Sequence, residues 1–325
     1  MPMHKLVIVD GVTLNPGDLS WNEFHNLVPV VEIYERTASA DVVERCQGAS
    51  IVLTNKTKLS AETINSLSHL RFIGVLSTGY DVVDIAAASC LGIPVSNVPS
   101  YATSSVAQMV FAIILNWTNG IAHHAARVRD GAWADCKDFS FWDFPLHELE
   151  GKRIGIIGFG EIGQQVGRLA HAFGMRVSAV VRSPKSVEYP VDFVAMEEVF
   201  SQSDFLCLLC PLTKDTHSFV NADRIRTMKP TAYLINAARG PLVVEEDLAH
   251  ALNQAMIAGA ATDVLAVEPP SASNPLLHAK NMIITPHQAW ATVEARQRLM
   301  SVTLGNIRAF LNGAPRNVVN KSQLA

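Results

Sequence analysis

The hexapeptide Gly158-Phe159-Gly160-Glu161-Ile162-Gly163 carries the most legible chemistry in the chain. It follows the apolar run RIGII and opens a segment in which Ile162, Val166, Leu169, Ala170 and Phe173 recur on one helical face. Strand, glycine turn and helix in that order make a cradle for a pyrophosphate. Gly158 permits the tight turn, Gly160 lets the backbone approach the phosphates, and Gly163 lets helix and strand pack closely. The anion then meets unpaired N–H groups at the positive end of the helix. Such sites usually end the next strand in Asp or Glu, which binds the adenosine ribose. Here that strand reads VSAVVRSP, with Val181 in the acid's place and Arg182 and Ser183 behind it. With no carboxylate to repel a 2′-phosphate, Arg182 can pair with one and Ser183 can hydrogen-bond to it. The expected cofactor is NADP(H), with NAD(H) as the alternative.

Three more polar residues fall where strands of the same unit should end: Arg239 in LINAARGPLV, Glu268 in TDVLAVEPP and His287 in IITPHQAW. Ligands of doubly wound sheets bind outside the carboxyl ends of the strands, so these side chains face the site. Cys207 and Cys210 form a C-x-x-C, but inside the apolar run DFLCLLCPL and without a second Cys or His pair nearby. They read as buried thiols, and no metal is expected.

The elements that must hold these residues announce themselves as short apolar runs separated by polar or helix-like stretches. LVIVD, VEIYE, IVLT and FIGVL make a first series; RIGIIG, VSAVV, DFLCLL, AYLIN, GAATDV and NMIIT make a second. Alternating strands and helices imply parallel sheets covered on both faces, one for each series. Between them lie an apolar helix from Ser104 to Thr118 and a His-, Trp- and Phe-rich stretch from Asn119 to Glu150, a candidate linker or subunit contact. After His287 the sequence ATVEARQRLMSVTLGNIRAFLNG returns to helical spacing.

Composition sets outer limits. At 325 residues the chain exceeds what one core usually supports, and 49% hydrophobic with 17% charged residues describes a globular protein. A net charge of −4 offers no basic field for nucleic acid. The longest apolar stretch, Ala107 to Trp117, is too short for a membrane span and reads as a buried helix. MPMHKLVIVDG has only a brief apolar run before Asp10, so no export signal is expected. Five cysteines suit a reducing compartment, and the cytoplasm is the expected location.

In the order LSTGYDVVD, NVPSYATSSVAQ, GIIGFGEIG, CPLTKDT, LINAARG, DVLAVEPP and TPHQAW, the chain resembles the D-isomer-specific 2-hydroxyacid dehydrogenases, in particular their glycerate dehydrogenase and glyoxylate/hydroxypyruvate reductase branch. The resemblance runs through essentially the whole chain. It implies two doubly wound Rossmann-like domains with the active site in a cleft between them. Residues 1–100 with 288–325 would form the flavodoxin-like substrate domain, and residues 101–287 the dinucleotide domain. The implied reaction is hydride exchange between NAD(P)H and a small 2-keto acid, glyoxylate or hydroxypyruvate, giving the D-2-hydroxy acid.

The resemblance also assigns roles that the chemistry supports. Arg239 supplies a guanidinium fork for the carboxylate and the polarised carbonyl. His287 supplies the proton, an imidazole being the side chain that titrates near working pH. Glu268 orients the ring and stabilises its charged form. The backbone amides of Ser77, Thr78 and Gly79 would hold the substrate carboxylate. Asp263 would bond the nicotinamide carboxamide, with Val106 packed against that ring. Cys210, Pro211 and Thr216 would line the adenosine side, and Ala237 and Ala238 would adjoin the cofactor. Tyr101, Phe141 and Trp290 are candidates for shaping the substrate pocket. The family implies a homodimer built through the cofactor domain.

Two enzyme relatives fit less well: formate dehydrogenases carry Gln where Glu268 stands, and phosphite dehydrogenases carry Lys where Thr78 stands. The reading from another class is a nucleotide-sensing corepressor, which shares the fold and the three polar residues but binds the cofactor with little turnover.

Overall fold

The computed structural model describes residues 4–183 and 185–324. Residues 1–3, Pro184 and Ala325, which fall within the N-terminal stretch, the VSAVVRSP run and the expected domain ends, lie outside the described residues. The chain divides into two compact units, one running through Ala102 and resuming at Ala291, the other spanning Thr103–Trp290.

The first unit is built on strands β1 (Lys5–Ile8), β2 (Val30–Ile33), β3 (Ile51–Thr54), β4 (Phe72–Val75) and β5 (Val95–Ser96). They pair in parallel in the order β2-β1-β3-β4-β5. Every residue of β3 and β4 is buried, which is why these runs are continuously apolar rather than alternating. Helices connect the strands, and the helix Val293–Leu311 belongs to this unit. Thr292 caps it by accepting from the Ala295 N–H. Its buried Arg296 is not a stray charge. The guanidinium meets both oxygens of Asp18 at 2.7 and 2.6 Å and the Leu14 carbonyl at 3.2 Å. That contact holds the Asp18 carboxyl below the usual carboxylate range.

Asp10, just past β1 and only 2% exposed, anchors the loop that follows β3. Its carboxylate accepts the N–H groups of Asn55, Lys56 and Thr57 at 2.6 to 3.1 Å. Three amides converging on one carboxylate form an anion nest whose anion is supplied by the chain itself.

The second unit carries β6 (Arg153–Ile157), β7 (Arg176–Val180), β8 (Asp192–Phe193), β9 (Phe205–Leu208), β10 (Tyr233–Asn236), β11 (Gly259–Thr262) and β12 (Met282–Ile284). The order is β12-β11-β10-β9-β6-β7-β8, all parallel. From β6 the chain builds outward to β8, returns to β9 on the other side of β6, and builds out to β12. The direction reverses between β6 and β9, and in such sheets a ligand lies over that switch point. One face is covered by a core containing Phe111, Val166, Ala170 and Tyr233, the other by one containing Phe200, Leu242 and Leu248. The long apolar helix is present as Thr103–Asn119 and packs against the helix Glu161–Ala172. Burial pushes the Cys207 thiol up to about 12 and Cys210 to about 11, so neither is a thiolate at neutral pH.

Both sheets and their parallel order are as the runs imply, with two additions and one correction. β5 and β8 are two residues each, too short to show a period. Phe173, expected on the apolar face of its helix, lies just past Ala172 and is 42% exposed, its ring stacked on Phe111. Among the described residues no single helix is long and apolar enough to cross a membrane.

Replacing Asp10 by Asn puts an amide NH2 where the nest needs an acceptor. The expected cost is about 3 kcal/mol, read as a lower urea midpoint; an unchanged midpoint would show that the loop does not depend on this anion.

Candidate active site

The glycine turn stands between β6 and the helix Glu161–Ala172, as its spacing requires. Gly158 has φ +99°, and a Cβ on it would overlap the backbone nitrogen of Cys210 at the end of β9. A Cβ on Gly163 would overlap the Gly158 carbonyl oxygen. Both glycines are therefore required by the protein's own packing. Gly160 differs: a Cβ there would meet nothing within 4 Å. The chain itself leaves that space open, and Gly160 is also the N-cap of a helix with no side chain capping it. Open space against bare helix N–H groups suits a pyrophosphate.

At the end of β7, Val181 is half-buried while Arg182 and Ser183 are exposed. Arg182 has no ion-pair partner among the described residues. The segment beyond it is tied to the helix Glu161–Ala172 by Tyr189. The Tyr189 hydroxyl donates to the Gln164 carbonyl, its ring stacks on His171, and a Cβ on Gly167 would come within 2.6 Å of its oxygen. Burial raises that hydroxyl to about 12. Sequence reasoning missed this staple, although Gly167 in mid-helix signals a close neighbour, since glycine there costs about 1 kcal/mol against alanine.

Arg239, Glu268 and His287 leave the carboxyl ends of three adjacent strands. Asn236, Thr262 and Ile284 form one registered row across β10, β11 and β12. Three residues beyond that row come Arg239 on one side and His287 on the other; Glu268, farther along its loop, reaches back. Glu268 Oε2 lies 2.6 Å from His287 Nδ1, and its Oε1 accepts the Leu265 N–H at 2.9 Å. An ionised carboxylate only accepts, so the proton sits on Nδ1, and Nε2 has no partner among the described residues. Arg239 spends one N–H on the Ala238 carbonyl and forms no ion pair among the described residues. Its turn is set by Asn236, whose side chain donates to the Arg239 carbonyl and accepts from the Ala238 N–H.

His287 sits at φ +52°, a backbone conformation that disfavours most side chains and persists only when its surroundings impose it. Asp263 imposes it. This carboxylate, 2% exposed, accepts from the Thr285 hydroxyl and from the N–H groups of Gln288 and Ala289, on both sides of His287. Its oxygens are thus largely committed to the loop, a role the expectation of a carboxamide contact did not contain.

The other expected site residues are distributed as follows. The N–H groups of Ser77, Thr78 and Gly79, past the end of β4, donate to no acceptor among the described residues, whereas the Ser77 and Thr78 hydroxyls bond to the Gly79 and Val98 carbonyls. Cys210 is buried, Pro211 is exposed, and Thr216 donates to the Pro211 carbonyl, closing a turn beside β9. Ala237 and Ala238 are half-buried after β10. Val106 and Tyr101 are buried and Trp290 is half-buried. Phe141 has its ring 6.1 Å from that of His124, in the stretch after Asn119. In that stretch His123, His124 and Asp143 form a cluster of metal-ligand types. The Asp143 carboxylate already meets His123 and the Arg127 guanidinium, and His124 Nε2 accepts the Asp143 N–H.

Residues 111–289 match the D-isomer specific 2-hydroxyacid dehydrogenase, NAD binding domain. Over 98% of its length the chain is 45% identical to a hydroxypyruvate reductase of Blautia hydrogenotrophica, all of which is covered. The chain belongs to the D-isomer specific 2-hydroxyacid dehydrogenase family. Within it, a glycerate dehydrogenase of Methylorubrum extorquens is 40% identical over 97% of this chain and 98% of its own. Among solved structures, an NADPH-dependent glyoxylate/hydroxypyruvate reductase from Sinorhizobium meliloti, in complex with NADP and malonate, superposes with a TM-score of 0.83 at 26% identity, covering 99% of this chain and 98% of that one. A dehydrogenase of this family uses a nicotinamide cofactor, and the glycine turn, with Gly160 open to the outside, fits one.

Gly158→Ala forces a side chain into both a positive φ and the Cys210 backbone. The dehydrogenase should then lose NADH and NADPH binding by at least about 10-fold, measured by nicotinamide fluorescence titration; unaltered binding would separate the turn from the cofactor.

Proposed function

We propose that this D-2-hydroxyacid dehydrogenase reduces glyoxylate and hydroxypyruvate, the latter to D-glycerate, with NADP(H) preferred over NAD(H). The reading is carried by one observation: Glu268 fixes Nδ1 of His287 at 2.6 Å, which leaves Nε2 to deliver a proton. The names of the relatives at 45% and 40% identity support hydroxypyruvate and glycerate, and that of the Sinorhizobium meliloti enzyme supports glyoxylate as well.

When bound, the nicotinamide supplies a hydride to C2 of the keto acid. Negative charge then grows on the carbonyl oxygen, and His287 Nε2 donates its proton there. Glu268 stabilises the doubly protonated ring before the transfer and holds its orientation through it. The free N–H groups of Arg239 hold the substrate carboxylate and polarise the carbonyl, fixing which face of C2 receives the hydride. In the reverse direction His287 takes the hydroxyl proton.

The cofactor preference rests on Arg182, a cation without a partner among the described residues at the end of β7, with Ser183 beside it and no acid in the ribose-binding place. The reading also holds the enzyme to be a cytoplasmic homodimer. Ile121, Trp133, Phe139, Trp142 and Leu146 are all exposed in the stretch after Asn119, and Phe139 is 91% exposed, an apolar surface that a second copy would cover.

Keto-acid reduction by His287→Ala should fall about 1,000-fold with cofactor affinity retained. Fast turnover by that variant, or tight cofactor binding without turnover by the wild type, would overturn the reading. Arg182→Ala should raise the KM for NADPH about 10-fold and leave that for NADH within about twofold; equal effects would refute the preference alone. Trp142→Asp with Phe139→Asp should sediment as a monomer where the wild type sediments as a dimer, and a wild-type monomer would dispose of the homodimer.

A further inference from the structure

The loop carrying Glu268 is mostly exposed: Ala266, Val267, Glu268, Pro269 and Pro270 all lie at the surface. Exposed loops with few buried contacts open readily, yet the Glu268 carboxylate is held within 2.6 Å of His287. Something outside the loop must hold it in place.

Two contacts do so. Gly240, the residue after Arg239, has no Cβ because one would overlap the backbone carbon of Leu265, so the loop lies directly on the Arg239 turn. Glu245, which opens the helix Glu245–Asn253, meets the loop at both ends. Its Oε1 accepts the Ala266 N–H at 2.8 Å and its Oε2 accepts Nδ2 of Asn274 at 2.7 Å. The Asn274 amide cannot turn over freely, because its Oδ1 accepts the Leu276 N–H. Both groups facing Glu245 are therefore donors. Only a side chain that accepts with both of its atoms satisfies them, and among residues of this length an ionised carboxylate is that side chain.

We propose that Glu245 is a positioning residue for the proton-transfer pair: it clamps the loop around Glu268 so that the carboxylate stays on His287 Nδ1. The inference rests on the reading in which Glu268 and His287 act together. The bonds of Glu245 go to the residues that flank Glu268 in the loop. It acts through Ala266, two residues before Glu268, and Asn274, six residues after it. Release of the clamp lets the carboxylate drift, and misplacement by an ångström is enough to slow a reaction that depends on orientation.

The test compares Glu245→Ala, Glu245→Gln, Glu268→Gln and the Glu268→Gln/Glu245→Ala double variant of the full chain, with glyoxylate and hydroxypyruvate as substrates. Glu245→Ala should lower kcat about 10-fold and Glu245→Gln about threefold, since Gln keeps an acceptor for Ala266 but meets Asn274 with a second donor. Cofactor affinity, by fluorescence titration, should stay within about twofold in all of them, which separates positioning from loss of fold. The rate of keto-acid reduction should also begin to fall at lower pH in Glu245→Ala than in the wild type. In the Glu268→Gln background the added Glu245→Ala should change kcat by less than about twofold, because the residue to be positioned is no longer the native one.

Wild-type kcat in Glu245→Ala with cofactor bound would overturn the proposal, and so would an equal loss in both backgrounds. If Glu245→Ala fails to bind cofactor, Glu245→Gln decides by the same kcat and pH criteria. Wild-type kcat and pH profile in Glu268→Gln would instead bring down the underlying reading, a result distinct from failure of the clamp.

Discussion

Hydrogen-bonded register across β10, β11 and β12 is the constraint on which the site depends. Parallel pairing aligns Asn236, Thr262 and Ile284, so the chains leaving those strands emerge side by side on one edge of the sheet. A guanidinium, a carboxylate and an imidazole separated by tens of residues in sequence become neighbours for that reason. A one-residue slip in the pairing would turn alternate side chains to the opposite face and part them. The phosphate cradle uses the same edge two strands away, at the end of β6, where the build direction of the sheet reverses. Sheet order thus sets the places of the glycine turn and the imidazole together.

The strand ends provide position but not rigidity, and carboxylates provide the rest. Asp263 fixes the backbone on both sides of His287 and so sustains its unfavourable φ. Glu268 fixes the ring. Glu245 grips the loop in turn. Asp10 performs the corresponding task in the first unit, gathering three amides of the loop after β3. In each case a group that only accepts hydrogen bonds organises backbone that would otherwise have no partner, and the low exposure of Asp10 and Asp263 makes each bond worth more than it would be in water.

What could be read from the residues follows from how local the signal is. Buried parallel strands appear as continuous apolar runs, and RIGII, AYLIN and NMIIT each fall on a strand. The glycine turn was legible because three positions carry three separable steric demands. Arg239, Glu268 and His287 were legible because each follows such a run. The Asp263 clamp was not, because two of its three donors are backbone N–H groups that leave no mark on residue type, and the third, the Thr285 hydroxyl, is a residue type common in loops. Glu245 was hidden among the acidic residues that commonly open a helix. The Tyr189 staple left one trace, Gly167 inside a helix, which carries meaning only once the partner is seen.

The central claim is that Glu268 commits His287 to one tautomer, with Nδ1 protonated and Nε2 free to exchange a proton with substrate. Nitrogen-15 NMR of the histidine rings, with the His287 signals assigned by their loss in His287→Asn, addresses it directly. The account predicts a protonated, strongly hydrogen-bonded Nδ1 at neutral to mildly alkaline pH, and loss of that signature in Glu268→Gln. A wild-type ring with its proton on Nε2, or the same signature with and without the carboxylate, would contradict it.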